Sequence, residues 1–353
     1  MNMQNVLVTS AGSIVGQGII KCLRLANEKN TIDAKYRIVA ADMSARAPGL
    51  YRADAGFLVP AALTSEYLDF IIKLCIEERI MAIFIGSDEE TIPLSEARDD
   101  IENKSGAVVM ANHPITTTIA SDKWETYKFL RRNNLPHPES ALPEDREKFV
   151  KEYGFPLVVK PREGHGSLHF YIVRNEDELT RAVSAIQRVG WKPLLQEFLG
   201  AEDTEYTSGV TVSRDGKIMS SISMRKILKG GQTYRAFIDD YKDVRKAAER
   251  VAVKIGAVGA INIQAKVSKG EIKTFEINPR FSATCPLRAV AGINEPDIVF
   301  RNVLYDEKIR LKKYQRLVCM RYWNEVYVPY ATYENTQRAG SVQTTDSFIP
   351  SYF

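Results

Sequence analysis

Two extended segments late in the chain hold the residues best suited to grip a divalent cation. Residues 259–267 alternate Ile261, Ile263, Ala265 and Val267 with Asn262, Gln264 and Lys266. After a turn at 268–271 the chain returns through Thr274, Phe275, Glu276, Ile277 and Asn278 to Arg280. Side chains alternate faces along a strand. A hairpin is therefore expected to set Thr274, Glu276 and Asn278 on one face and to pack Phe275 and Ile277 inward. It can bring Gln264, Glu276 and Asn278 together as oxygen ligands, with Arg280 just beyond. Hard oxygens with few carboxylates suit a Mg²⁺ that substrate phosphates also hold. Any solvated antiparallel face shows the same alternation, so the pattern alone leaves both readings open.

Other segments must position this hairpin. Across the first 110 residues or so, apolar runs at Val6-Leu7-Val8, at 37–41 and at 80–85 alternate with helical stripes. One stripe runs through Val15, Ile19, Cys22, Leu23 and Ala26, another through Tyr67, Phe70, Ile71, Leu74 and Cys75. Strand–helix alternation of this kind implies a parallel sheet. Ligands of such sheets gather at the carboxyl ends of the strands, where Ser10, Asp42 and Asp88 fall. Prolines 114, 136 and 138 flank one helix near 122–133 and mark a junction. Beyond it strands follow one another: 156–160, 169–173, 206–212 turned by Asp215-Gly216, then the late hairpin. Asn175 caps a helix with Glu178 at the capping-box position. Val244, Ala248, Val251 and Ile255 mark another helix. This half reads as α+β with an antiparallel sheet.

The run Phe275-Glu276-Ile277-Asn278-Pro279-Arg280, preceded by Asn262-Ile263-Gln264, resembles the metal-binding hairpin of the ATP-grasp superfamily, closest to its carbamoyl-phosphate-synthetase-like branch. Further pieces fall in the same order. Residues 7–18 resemble the start of that branch's pre-ATP-grasp domain. Asp122-Lys123 resembles the first nucleotide-binding lysine and Val158-Val159-Lys160-Pro161 the second. Gly164-His165-Gly166-Ser167 resembles the phosphate-covering loop, Gln196-Glu197-Phe198-Leu199 the adenine hinge, and Glu205-Tyr206 the acidic residue that holds the ribose. The resemblance runs from about residue 6 to about 305. It implies α/β and α+β architecture: a Rossmann-like pre-ATP-grasp domain at 1–115, a lid with its linker helix at 116–198, and a C-terminal subdomain with the hairpin at 199–353. It implies ATP and Mg²⁺ (or Mn²⁺) as cofactors, and Ser13, Asp42 and Asp88 on the substrate side. The synthetase proper tends to use arginine where Lys123 and Lys160 stand, and it has two grasp modules where this chain shows one. A single-module carboxylate–amine ligase is the better analogue.

Physical logic accompanies each piece. Lys123 and Lys160 can offset phosphate charge. Lys160 ends the apolar run 156–159 and, once buried, needs a partner. Gly164 and Gly166 let backbone N–H groups approach phosphate oxygens. Arg225, Lys226 and Arg235 flank Gly230-Gly231 and can clamp an acyl phosphate or an acidic acceptor; a solvated charge run has the same look. Arg225 and Arg280 are the candidate catalytic cations. Gly12, Gly16 and Gly18 miss the G-x-G-x-x-G spacing, which weakens a dinucleotide reading. Asp88-Glu89-Glu90 also fits the acidic first turn of a helix.

Composition narrows the field. Of 353 residues 44% are hydrophobic and 26% charged, which excludes wholesale disorder. The 48 basic and 44 acidic residues leave a net charge of only +4, too balanced for a nucleic-acid binder. No apolar run of about 18 residues occurs, and the N-terminus lacks a basic n-region, so a cytoplasmic protein is expected. The four scattered cysteines predict reduced thiols, Cys285 an ordinary packed one, and the four histidines lack zinc-ligand spacing. The expected function is ATP-dependent ligation of a small-molecule carboxylate to an amine. The alternatives are a carbamoyl-phosphate-synthase-like enzyme using ammonia and bicarbonate, an NAD-binding oxidoreductase, or a nucleotide-binding regulator without turnover. Neither nucleic acid nor membrane is expected as a partner, and a homodimer is compatible with the sequence.

Overall fold

A computed structural model describes residues 3–351 except 165, 167, 201–204, 323, 344 and 345. Elements follow in chain order. The first stretch holds β1 (Met3–Val8), α1 (Ile14–Lys29), β2 (Lys35–Asp42), β3 (Ala55–Leu58), α2 (Tyr67–Glu77), β4 (Ala82–Phe84), α3 (Thr91–Glu96), α4 (Arg98–Ser105) and β5 (Val108–Val109). Next come α5 (Pro114–Ser121), α6 (Lys123–Arg132), β6 (Ser140–Ala141), α7 (Arg146–Tyr153), β7 (Leu157–Pro161), β8 (Tyr171–Val173), α8 (Glu176–Arg188) and β9 (Pro193–Glu197). The remainder is β10 (Glu205–Val212), β11 (Ile218–Lys229), β12 (Gln232–Ile238), α9 (Lys242–Lys254), β13 (Gly259–Ser268), β14 (Glu271–Asn278), α10 (Cys285–Ala291), α11 (Glu295–Tyr305), β15 (Leu317–Met320), α12 (Tyr330–Ala339) and β16 (Ser341–Val342).

Three sheets form among the described residues. The first, ordered β16-β3-β2-β1-β4-β5, is parallel except for β16, which closes one edge antiparallel to β3. Its strands are short and apolar because both faces are covered: α1 lies on one side and α2 with α4 on the other. The second, β6-β9-β7-β8, is a small antiparallel lid. The third, β14-β13-β10-β11-β12-β15, is antiparallel.

The third sheet buries both faces. Val210, Ile261, Ile263 and Ile277 pack with Ala248 and Val251 of α9 and with Ala120 and Leu130 of α5 and α6. Ile222, Met224 and Ile238 join a core that continues through α10 and α11 into α1 and the first sheet. The C-terminal tail binds both ends of the molecule, since β15 extends the third sheet and β16 the first. Helix α8 begins as expected: Asn175 Oδ1 accepts from Glu178 N at 2.9 Å. The reciprocal bond differs by one residue, Glu178 accepting from Arg174 N at 2.8 Å. No helix among the described residues is long and apolar enough to cross a membrane.

Candidate active site

The late hairpin pairs Asn262 with Asn278 and Gln264 with Glu276. Paired residues share a face, and here the side chains meet. Gln264 Nε2 and Asn278 Nδ2 each donate to Glu276 Oε1 at 3.1 Å. One detail departs from simple alternation. The register shifts after Gln264, so that Ala265 opposes Thr274 and Phe275 is the extra residue of a bulge. Thr274 thereby turns to the core side, buried, while Phe275 comes to the cleft. This reverses the inward and outward assignment expected for those two residues, because a bulge inserts one residue on one strand and flips the faces beyond it.

The lid closes over this face and leaves a cleft of about 440 Å³ between the sheets. Lys160, in the middle of the lid sheet, is buried and donates to Gln196 Oε1 at 2.8 Å. Gln196 in turn donates to Ser140 Oγ at 3.0 Å. The Lys160 ammonium also stands 5.5 Å from the centre of the Phe275 ring. Burial, reinforced by the charge of Lys123, pulls Lys160 down to about 7, against the opposing pull of Glu276 and Glu205. Lys123 begins α6 behind its cap Asp122, whose side chain accepts from Trp124 N at 2.7 Å and from Arg162. The Lys123 ammonium donates to Gly164 O at 2.7 Å, so the lysine holds the loop expected to cover phosphate. Gly164 and Gly166 both have positive φ. Ser167 lies outside the described residues.

Glu197, Phe198 and Leu199, where the adenine hinge is expected, line the cleft. Glu197 is also tied to Lys273 Nζ at 2.8 Å. Across from them, Glu205 is buried between Lys226 Nζ at 2.8 Å and Lys266 Nζ at 3.6 Å. Lys226 also donates to Gln264 Oε1. Burial opposes the charge on Glu276, but Lys123, Lys160 and Lys226 outweigh it and hold the carboxyl below its usual range. Among the described residues the cleft is lined by four lysines (123, 160, 226, 266) and three glutamates (197, 205, 276). With Glu197 taken by Lys273, those four lysines face two remaining carboxylates among the described residues. A partly enclosed cleft with a cationic surplus suits a polyanion.

Several expected positions do other work. Arg225 does not line the cleft: it neighbours Lys226 on β11, points to the opposite face and stacks over Phe237 at 4.2 Å. Of the expected clamp, Lys226 reaches the cleft among the described residues, and Arg225 and Arg235 do not line it. Arg280 points across to the first sheet, where Nε and Nη2 each meet Asp88 at 2.6 Å. Ser13 Oγ accepts from Gly16 N at 2.8 Å as the cap of α1, and donates to Gly86 O at 2.6 Å. Asp42 accepts from Gly12 N and Ser44 N. Glu90 stands at the start of α3, as the helix reading expects. It is buried, accepting from Thr9 Oγ1 at 2.6 Å and Tyr67 OH at 2.7 Å, and burial raises its pKa. Gly16 and Gly86 allow backbone to pass backbone: a Cβ would come 2.4 Å from Ser10 O and 1.9 Å from Thr9 O respectively. Those close approaches account for the glycines without a pyrophosphate. Cys285 is packed, its Sγ 3.6 Å from that of Cys22.

A family profile for an ATP-grasp domain matches residues 120–284, and one for a PylC-like N-terminal domain matches residues 6–109. The chain carries an ATP-grasp domain. The ATP-grasp match spans both lysines, the hinge and the hairpin. The carbamoyl phosphate synthase large chain of Methanosarcina barkeri is 26% identical over 312 residues, covering 80% of this chain and 28% of that one. That of Pseudomonas putida is 26% identical over 232 residues, covering 62% and 21%. The chain therefore spans less than a third of these relatives. Among solved structures, N5-carboxyaminoimidazole synthetase from Staphylococcus aureus complexed with ADP aligns with a TM-score of 0.71 at 14% identity, over 96% of this chain and 87% of that one. The biotin carboxylase domain dimer of 2-oxoglutarate carboxylase from Hydrogenobacter thermophilus, with MgADP and bicarbonate, gives 0.70 at 18%, over 88% and 71%. These likenesses show the ATP-grasp fold. ATP-grasp enzymes are ATP-dependent ligases, and the fold binds Mg-ATP.

The donor set here fits such a cation. Among the described residues no group of three or more His, Cys, Asp or Glu side chains could hold a metal; the donors that would hold one here are Glu276 and, once their amides turn, the carboxamide oxygens of Gln264 and Asn278. One carboxylate and two amide oxygens would make an incomplete shell, leaving places for phosphate oxygens and water. Sequence reasoning missed the roles of Lys226 and Lys266 around Glu205 and the Arg280–Asp88 pair, since each depends on strand register or on residues far apart in sequence.

Proposed function

We propose that the protein is an ADP-forming carboxylate–amine ligase. The observation that supports this is the cationic surplus of the cleft, set directly against the Gln264–Glu276–Asn278 face. A carboxylate oxygen of one substrate attacks the γ-phosphorus of ATP, and the bond to the bridging oxygen of ADP breaks. The amine nitrogen then attacks the acyl carbon, phosphate leaves, and the nitrogen loses a proton to give the amide. Lys123 and Lys160 bind phosphate oxygens, the backbone of residues 197–199 pairs with adenine, and Glu205 holds the ribose. Lys226 is freed from Gln264 to face the transferred group. Arg280, held by Asp88, marks the side from which the carboxylate enters. Mg²⁺ or Mn²⁺, when bound by Gln264, Glu276 and Asn278, supplies charge neutralisation. The side chains form no covalent intermediate; they orient the substrates and stabilise developing charge.

A matrix of carboxylates and amines scored by phosphate and ADP release tests this. Amide formation dependent on both substrates is expected. Mg-ATP is expected to raise the melting temperature, with no shift from NAD or NADP. ATP binding without ADP release across the whole matrix rejects the ligase reading.

A further inference from the structure

A second concavity shares no residue with the nucleotide cleft. It is an open groove of about 290 Å³ between the loop at 45–51, which follows β2, and the C-terminal tail. Arg46 and Tyr51 line it from the loop; Val326, Val328, Tyr330 and Tyr333 line it from the tail. The loop leaves the carboxyl end of a parallel strand, where ligands of such sheets gather.

The walls are held in place. Tyr51 is 3% exposed and its hydroxyl donates to Ala45 O at 2.8 Å, so the ring cannot turn away. Behind it Gly49 packs on Ala11 so closely that a Cβ would lie 2.2 Å from Ala11 O. The tail side is tied down by Ser347, whose Oγ donates to Tyr51 O at 2.7 Å, and by the pairing of β16 with β3. Tyr330 and Tyr333 stand side by side, ring centres 6.1 Å apart.

Charge then selects the ligand. Arg46 is the one charged residue lining the concavity, is exposed, and makes no ion pair among the described residues. Among the described residues no acidic side chain lines the space. A free guanidinium presents a fork that matches a carboxylate. Three tyrosine rings and two valines offer flat apolar surface for an aromatic body. One cation balances a monoanion and not a triphosphate. The volume falls at the small end for ligand pockets, about 300 Å³, which suits a single ring.

We propose that this concavity binds a small aromatic monocarboxylate. Calorimetric titration of the full chain with benzoate, 4-hydroxybenzoate and phenylacetate tests it, with benzamide as the neutral isostere. At least one acid is expected to bind at one site per chain, and benzamide at least tenfold more weakly. Arg46→Ala and Tyr330→Ala change exposed side chains and are expected to weaken the acid at least tenfold while ATP binding stays unchanged. Absence of binding by all three acids, or binding indifferent to Arg46→Ala, overturns the proposal. Adding Mg-ATP and an amine mixture separates two sources of such a ligand: ADP release dependent on the acid identifies a substrate, and altered ATP affinity without ADP release identifies an effector. The ligase reading fails separately, when no acid of any class yields ADP although the aromatic acid binds.

Discussion

Two polar clusters lie side by side on one face of the third sheet, and they are built on opposite rules. Arg288 and Glu295 form an ion pair at 2.9 Å with relative side-chain exposures of 0% and 2%. Arg288 also donates to Asn262 Oδ1 at 2.7 Å and Thr207 Oγ1 at 3.1 Å. Gly209 makes room for the pair, since a Cβ there would fall 1.6 Å from Glu295 Oε1. Two residues further along each strand, Gln264 and Glu276 open instead onto a cleft whose lysines outnumber its free carboxylates among the described residues. The closed cluster has balanced charge and pairs both guanidinium Nη atoms within the protein, leaving Arg288 Nε without a partner. The open one is incomplete without an anion. Burial of charge thus separates scaffold from site only when the charges are counted.

Mutations should split along the same line. Glu276→Ala is expected to lower turnover by at least about 10²–10³-fold with the melting temperature nearly unchanged. Arg288→Met leaves Glu295 buried and unpaired, and breaking a buried pair costs about 3–5 kcal/mol. Denaturant unfolding should show that loss, while the turnover of the molecules still folded changes little. A stable Arg288→Met protein, or an unfolded Glu276→Ala one, would exchange the two roles.

Protons sharpen the contrast further. An unfolded lysine keeps its proton to about 10.4, whereas folded Lys160 loses it near 7. Between these values the unfolded chain binds more protons, so this group makes stability rise with pH. ATP binding runs the other way, because the phosphates need the ammonium. Affinity should fall by up to about tenfold per pH unit above 7. Calorimetry at pH 8 in buffers of different ionisation enthalpy should reveal uptake of about one proton. Lys160→Met should abolish that uptake. If binding takes up no proton in the parent protein, Lys160 is already charged and the cleft is wetter than its burial implies.

Much of the scaffold was visible beforehand because apolar periodicity is local. The runs ending at Val8, Asp42 and Ile85 mark β1, β2 and β4, and the stripe through Ile19 and Leu23 marks α1. Asn175 with Glu178 marks the start of α8. The four-residue β3 and two-residue β16 are too short to show a period, and the partly exposed β15 carries no core signature. The hairpin triad was legible through alternation, yet the bulge at Phe275 was not, since an extra residue leaves no local mark. Register decided the rest. That Glu205 faces Lys226 and Lys266 follows from the pairing of β10 with β11 and β13, and Arg280 meets Asp88 across 192 residues.

The smallest expected effect tests register most directly. Arg225 and Lys226 are adjacent and both basic, so sequence alone offers no way to rank them. Pairing of Tyr206 with Arg225 puts Lys226 opposite Glu205 on the cleft side and leaves Arg225 over Phe237. Lys226→Met removes one cation from a buried anion site and should raise the KM for ATP or lower kcat by about 10-fold or more. Arg225→Ala removes a cation–π contact at a partly exposed position, about 0.5–1 kcal/mol of stability, and should leave kcat and KM within about twofold. Steady-state kinetics on the pair decides the matter: equal losses would mean that β11 is slipped by one residue, which turns every side chain on it to the other face.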